Sequence, residues 1–130
     1  MNQDVLIDSN VYIDLLRSGR DPGQAIATRY DELDVVTCGM VQLEVLRGAR
    51  EQNLKSHLQE VFSLMQYVPS DHALWEEANE LAWTMDRLGK VIPAQDIVIA
   101  ACALRVDAAV HSYDRHFSMI PGLTVNCDFL

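Results

Sequence analysis

Short runs of β-branched and other apolar residues alternate along this chain with longer stretches whose apolar side chains recur at helical spacing. The strand-like runs lie at 4–7, 34–37, 66–69, 108–112 and 123–126. The intervening stretches predict helices at 9–18, 22–31, 39–49, 51–65, 70–88 (capped by Ser70) and 93–106, and a helical turn at 114–118. Strands joined through helices pair in parallel, because each connection crosses one face of the sheet. The sequence therefore predicts an α/β fold with a mainly parallel sheet of about five strands.

The composition narrows the class of protein. At 130 residues, 49% of them hydrophobic, the chain fits a single domain spanning 1–130. We expect no membrane span and no secretory signal, and the three scattered cysteines suit reduced thiols in a cytoplasmic protein. The net charge of −9 argues against broad nucleic-acid binding. It favours a basic protein partner, or a site that gathers carboxylates around a cation.

Two aspartates directly follow predicted strands. Asp8 lies in VLIDSNVYIDLL (5–16), between the first strand and the first helix, and Asp114 lies in HSYDRHF after the fourth strand. Open α/β sheets bind ligands at the carboxyl ends of their strands. Capping of the structure that follows explains an aspartate at either position equally well.

Two further acids occupy notable helix positions. Glu44, in GMVQLEVLRGA (39–49), falls on a partly apolar sector of its helix, although a local pair with Arg47 is an alternative explanation. Asp96 lies in the first turn of PAQDIVIAACALRV (93–106), which is apolar nearly all round and should be buried. For Asp96 the alternative is a favourable interaction with the helix dipole.

All strand carboxyl ends of a parallel sheet share one edge, so these four acids are expected to converge there. Clustered carboxylates in a dry cleft repel one another and become protonated unless a cation lies among them. Carboxylates with retained water suit Mg²⁺ or Mn²⁺. The residues predicted to hold the metal are therefore Asp8, Glu44, Asp96 and Asp114.

The order of these acids, in IDSNVYI, QLEVLRGA, PAQDIVIAACAL and HSYDRHF, resembles that of the PIN-domain nucleases, and above all the small VapC-type toxins of bacterial toxin–antitoxin modules. The resemblance covers nearly the whole chain. It implies a Rossmann-like three-layer α/β/α sandwich and Mg²⁺- or Mn²⁺-dependent hydrolysis of RNA by metal-activated water. It also implies that the four acids are the catalytic residues and bind the metal directly or through water, with Glu44 either a ligand or the group that orients the water.

The resemblance extends to polar neighbours of the acids. Ser9 matches a Ser/Thr position that orders the site, Asn10 a commonly polar position, and Ser112 the Ser/Thr two residues before the last acid. His116 departs from the pattern, since relatives often carry an acid or a lysine there. Candidate substrate contacts are Arg17, Arg47, Arg115 and His116.

The expected partners are RNA and protein. With only ten basic residues, the chain should recognise a particular folded RNA, such as a tRNA or rRNA. The resemblance implies a cognate antitoxin, and we expect a homodimer. On the helix at 70–88, Trp83 falls on the side opposite the apolar stripe and is expected to be exposed. An exposed Trp indicates a partner surface, unless long neighbouring side chains cover the ring. The stripe consists of Leu74, Ala78, Leu81, Ala82, Met85 and Leu88.

Other functions fit the motifs less well. A haloacid-dehalogenase-like phosphohydrolase requires DxDx[TV] after the first strand, whereas DSNVY has Asn10 in place of the second acid. A response-regulator receiver requires a lysine that HSYDRHF lacks. A catalytically silent PIN-like scaffold stays open, although all four acids are present.

Overall fold

The computed structural model describes residues 3–130 and contains a five-stranded sheet at its centre. The strands are β1 (Val5–Ile7), β2 (Val35–Cys38), β3 (Gln66–Val68), β4 (Ala109–His111) and β5 (Val125–Asn126). Every neighbouring pair is parallel, in the order β3-β2-β1-β4-β5. The chain runs outward from β1 to β3 and then returns past β1 to β4, so right-handed crossovers place helices on both faces. The predicted parallel α/β fold is confirmed.

The helices follow the predicted order. They are α1 (Ser9–Arg17), α2 (Pro22–Arg29), α3 (Gly39–Leu46), α4 (Gln52–Ser63), α5 (His72–Arg87) and α6 (Ala94–Arg105). Two 3₁₀ turns lie at Glu32–Asp34 and Arg115–Met119, the first of which was not predicted. The prediction of Ser70 as the cap of α5 is wrong: Asp71 is the cap, because its Oδ1 accepts a hydrogen bond of 2.9 Å from the Leu74 amide.

The core packs against both faces of β1 and along α6. All three residues of β1 are buried, and so is every residue of α6 from 97 to 103. Asp96 comes immediately before that buried run, so the packing of α6 fixes where its carboxylate lies. No helix within residues 3–130 is both long and apolar enough to cross a membrane.

Helix α5 presents one apolar face to the protein and one aromatic side chain to solvent. Leu74, Ala78 and Met85 are buried, whereas Leu88 lies just beyond the helix and is exposed, which shortens the predicted stripe. Trp83 is 58% exposed, and the guanidinium carbon of Arg87 lies 4.7 Å from its ring centroid. Arg87 therefore covers part of the ring and leaves the rest in water.

A buried histidine holds the last residues of the chain against the sheet. The Nε2 atom of His111 lies 2.7 Å from the Asp128 carbonyl oxygen, and its Nδ1 lies 2.6 Å from the Tyr30 hydroxyl. Because a carbonyl only accepts, Nε2 carries the proton and the Tyr30 hydroxyl donates to Nδ1. Burial lowers the pKa of His111, which agrees with this neutral form.

Candidate active site

Asp8 connects the end of β1 to the end of β4. It caps α1, since its Oδ1 accepts a hydrogen bond of 2.8 Å from the Ser9 amide. Its Oδ2 accepts a second bond of 2.8 Å from the hydroxyl of Ser112, which directly follows β4. The residue is only 4% exposed. Capping therefore accounts for one carboxylate oxygen, and the other is held across the sheet edge.

The Ser112 hydroxyl links three residues at this edge. Besides donating to Asp8, it accepts a bond of 2.9 Å from the Asp114 amide and one of 3.1 Å from the Asn10 side-chain amide. A hydroxyl has one proton and two lone pairs, so its hydrogen-bonding capacity is fully used. Ser112 is completely buried, and its position fixes the distance between the loops that carry Asp8 and Asp114.

Ser9 brings Glu44 to the same site. Its hydroxyl oxygen lies 3.2 Å from Glu44 Oε1 and 3.4 Å from Asp8 Oδ1, so its single proton lies between two carboxylates. Partial burial raises the pKa of Glu44, and the charge of Asp8 raises it further, against the opposing effects of Ser9 and Arg47. Among residues 3–130, the ion pairs do not include one between Glu44 and Arg47, so the local pair does not explain the position of Glu44.

Asp96, Asp114 and His116 form a compact cluster. The Nδ1 atom of His116 lies 3.0 Å from Asp96 Oδ2 and 2.9 Å from Asp114 Oδ1. One ligand atom from each of the three residues lies within 4.8 Å of the other two. Asp114 caps the 3₁₀ turn by accepting a 2.9 Å bond from the His116 amide, which folds the imidazole back onto the acids.

The charges of the site disfavour full ionisation of its acids. The pKa of Asp96 is raised to about 6. Burial is the largest cause, and the charges of Asp114 and Asp8 add to it, whereas the His116 hydrogen bond opposes it. Burial, together with the charge of Asp114, also raises the pKa of Asp8, against the lowering effect of its hydrogen bonds with Ser112 and Ser9. The hydrogen bond with Asp96 raises the pKa of His116, as do the nearby acids' charges. A positive charge beside these acids would favour their ionised forms, and His116 supplies one when its imidazole is protonated.

One hydrogen-bonded chain connects all four acids predicted from the sequence. Ser9 connects Glu44 to Asp8, and Ser112 connects Asp8 to the amide of Asp114. His116 then contacts the carboxylates of both Asp114 and Asp96. Asp8 and Glu44 lie outside the 4.8 Å cluster, and His116 lies inside it. The sequence left open whether His116 adds a ligand to the site or contacts substrate, although its place two residues after Asp114 in a polar turn already allowed it to fold back.

The predicted arginine contacts lie on exposed surface. Arg17 ends α1, Arg47 follows α3, and Arg115 begins the second 3₁₀ turn. Arg17 also lines a groove of about 400 Å³ with Ile13, Leu16, Val45, Gly48 and Arg50. None of the three predicted arginines is buried in the acid cluster, so each is free to meet a ligand from outside.

The donor atoms suit a hard divalent cation. Carboxylate oxygens are the ligands that Mg²⁺ and Mn²⁺ prefer, and an imidazole nitrogen is acceptable to Mn²⁺. Burial, and to a smaller extent the charges of Asp114 and Asp8, raise the pKa of Asp96, and a bound cation would favour its ionised form. The residues therefore fit a metal centre at the carboxyl edge of the sheet.

The electrostatic strain of this cluster should be measurable as a pH-dependent stability. An unfolded chain binds a proton at Asp96 with the ordinary pKa of about 3.9, whereas the native pKa is about 6. The native state thus holds the proton more tightly, and its stability falls as pH rises between these values. The chelator-treated wild type should lose about 2 kcal/mol of unfolding free energy between pH 4.5 and 6.5, and Asp96→Asn should not show this loss. Urea denaturation at both pH values tests this, and a constant difference between the two proteins would contradict it.

Comparison with known proteins agrees with this geometry. A protein-family model described as PIN domain matches residues 5–123. A comparison with curated proteins found no match. Among solved structures, the chain is similar to FitAcB from Neisseria gonorrhoeae, with 21% identity, 95% of this chain and 96% of that chain covered, and a TM-score of 0.76.

Two further structures show the same fold. DNA-bound VapBC from Salmonella typhimurium is 15% identical, with 96% and 98% of the two chains covered and a TM-score of 0.76. VapBC2 from Rickettsia felis, bound to a DNA fragment from its promoter, is 17% identical, with 95% and 98% covered and a TM-score of 0.73. At these identities the likeness concerns the fold.

Proposed function

The chain belongs to the PIN domain family, and from this premise we propose that it is a metal-dependent endoribonuclease and the toxin of a type II toxin–antitoxin system. The observation that carries the proposal is the linked group of four acids at the carboxyl edge of the sheet. A scaffold has no need for carboxylates held close enough to raise one another's pKa. The family match also favours a PIN nuclease over a haloacid-dehalogenase-like phosphohydrolase.

Asp96 and Asp114 are the residues that would hold Mg²⁺ or Mn²⁺, with Asp8 and Glu44 beside them as direct or water-mediated ligands. When bound, the metal would lower the pKa of a water molecule and offset the charge of the phosphate. The Nδ1 atom of His116 contacts an oxygen of Asp96 and one of Asp114, so a protonated imidazole would compete with the cation, whereas a neutral imidazole could bind it. The raised pKa of Glu44 suits a residue that accepts a proton from water.

The remaining polar residues order the site and meet the substrate. Ser9, Asn10 and Ser112 hold the acids through their hydrogen bonds, so we assign them positioning roles. The exposed side chains of Arg17, Arg47 and Arg115 are proposed to contact RNA phosphates. A net charge of −9 limits nonspecific attraction, so the substrate is proposed to be a specific folded RNA such as a tRNA or rRNA.

The proposed protein partners are a cognate antitoxin and a second copy of the chain. Support for an antitoxin comes from the similar structures, which include a toxin–antitoxin complex from Klebsiella pneumoniae with a TM-score of 0.73. The excess of acidic residues would attract a basic antitoxin. The exposed ring of Trp83 on α5 is the proposed anchor for one of these partners. Unchanged oligomeric mass and antitoxin co-purification in Trp83→Ala would exclude that role.

The function is tested by incubating the purified protein with total tRNA and rRNA. We expect cleavage with Mn²⁺ or Mg²⁺, no cleavage with EDTA, and recovery when Mn²⁺ is added in excess over the chelator. The products should carry 5′-phosphate ends, which ligation-based sequencing detects. The same Mn²⁺ should raise the melting temperature of the protein, because it binds only the folded site. Metal-dependent stabilisation with every RNA intact would instead favour the catalytically silent scaffold.

A further inference from the structure

A second concave surface lies directly beside the acid cluster. This groove, of about 450 Å³, is at the carboxyl ends of β4 and β5. Two of its lining residues also belong to the site described above: Asp114 is a member of the acid cluster, and Ser112 connects Asp114 to Asp8. The other walls are largely apolar and include Tyr113, Arg115, Val125, Cys127 and Phe129. The groove is therefore continuous with the proposed site of phosphodiester hydrolysis.

Phe129 offers an open aromatic face in this groove. Its ring centroid lies 4.8 Å from that of Tyr113, with an interplanar angle of 36°, so Tyr113 covers one side of the ring. The residue nevertheless remains 80% exposed. An exposed phenylalanine next to a polar site is unfavourable in water, and it is typical of a surface on which a ligand packs.

The segment that carries Phe129 is held in place by specific bonds. The Ser112 amide donates to the Asn126 carbonyl at 2.9 Å, and the Asp128 carbonyl is bound by His111. The Asp128 carboxylate also pairs with Arg29 at 3.2 Å. These contacts hold the residues before Phe129, and Arg20 donates a hydrogen bond to the Leu130 carbonyl after it. The backbone of Phe129 is therefore held close to the loop that carries Asp114.

The chemistry of the groove suits a nucleotide. Aromatic rings bind bases by stacking, and this contact tolerates any sequence because every base has a π face. Arg115 is exposed and forms no ion pair among residues 3–130, so its guanidinium is available for a phosphate. A docked protein segment would also cover Phe129. The sharing of Ser112 and Asp114 with the proposed hydrolytic site favours the substrate of that site as the occupant.

We propose that this groove binds the nucleobase of the RNA nucleotide next to the scissile phosphate, which stacks on the open face of Phe129 while Arg115 contacts the adjoining phosphate. The proposal rests on the proposed ribonuclease function and adds to it a residue that determines how the substrate is positioned. Phe129 acts here through binding and takes no part in proton transfer.

The test uses a labelled hairpin RNA that spans the cut mapped in total tRNA, together with the same hairpin lacking the base beside that cut. Phe129→Ala should raise KM by about 10-fold, because one stacking contact is lost, and should leave kcat within about 3-fold. Phe129→Trp should restore KM. The abasic hairpin should raise KM for the wild type by a similar factor and have no further effect on Phe129→Ala. Trp75→Ala is the matched control, because it removes an exposed aromatic ring that lies on α5 and outside the groove. It should leave KM unchanged.

The outcomes separate this proposal from the one on which it rests. Two results would show that the base does not lie in this groove. One is a wild-type KM for Phe129→Ala while the wild type cleaves RNA. The other is a KM of Phe129→Ala that rises again, by the same factor as for the wild type, when the hairpin lacks the base. If Phe129→Ala loses antitoxin co-purification while its KM for RNA is unchanged, the groove binds protein and the proposal is wrong. If the wild type cleaves no RNA in Mn²⁺, both proposals fall together. Equal melting temperatures of the variants exclude unfolding as the cause of any loss.

Discussion

Asp8→Asn is expected to lower RNA cleavage by more than about 100-fold while leaving the protein folded, since loss of an outer-shell partner of a metal site already costs about 10- to 100-fold. The substitution keeps the shape of the side chain and an oxygen that can accept from the Ser9 amide. It removes the negative charge that a cation requires. The new amide group cannot accept the Ser112 hydrogen bond, but burial disfavours the charge that is removed, so these two effects oppose each other and the variant should stay folded without metal.

The measurements are the initial rate of tRNA cleavage in Mn²⁺ and the melting temperature with and without Mn²⁺. Asp14→Asn is the matched control, because Asp14 lies on the same helix and is exposed. It should keep both the wild-type rate and the metal-dependent rise in melting temperature. Cleavage by Asp8→Asn within 10-fold of the wild type would leave Asp8 with the single role of capping α1.

Ser112 provides a graded comparison within the same experiment. Its hydroxyl positions Asp8 and the Asp114 amide without being an acid, so Ser112→Ala should lose about 10- to 100-fold in rate. Ser112→Thr retains the hydroxyl and should recover most of that loss. A purely structural role for the residue would instead lower the stability of Ser112→Ala and leave the cleavage rate per folded molecule unchanged.

The second large effect concerns the strand that carries Asp8. Leu6 is fully buried in β1, where it is in register with Val36 of β2 and Val110 of β4. Leu6→Ala would leave a cavity at the middle of the sheet, and we expect a loss of about 3 kcal/mol of unfolding free energy. In urea this corresponds to a midpoint lower by about 1 to 2 M.

Leu33→Ala removes the same number of atoms from a leucine that is 72% exposed, and should change stability by less than about 0.5 kcal/mol. Both measurements belong in the absence of divalent metal, so that binding does not mask the difference. A loss below about 1 kcal/mol for Leu6→Ala would mean that β1 is not the centre of the core.

Local patterns in the sequence were sufficient for the order and type of the main elements. Alternating strand-like and helical runs are properties of neighbouring residues, so they predicted the parallel sheet and the positions of all six helices. They were less accurate at element ends. Ser70 and Asp71 are both good caps, and the choice between them depends on which side chain reaches the Leu74 amide in the folded chain.

The sequence also placed Asp8 and Asp114 after strands and Asp96 at the mouth of a buried helix, and parallel topology then requires all three to lie at one edge. Only the tertiary structure decided how they are connected. Asp8 and Ser112 are 104 residues apart in the chain and bond because β1 and β4 are neighbours. His116 joins the acids because one 3₁₀ turn folds it back, and Phe129 reaches the groove because His111 binds the segment before it. Hydrogen bonds between distant residues depend on positions set by the whole packed core, and no local pattern in the sequence encodes those positions.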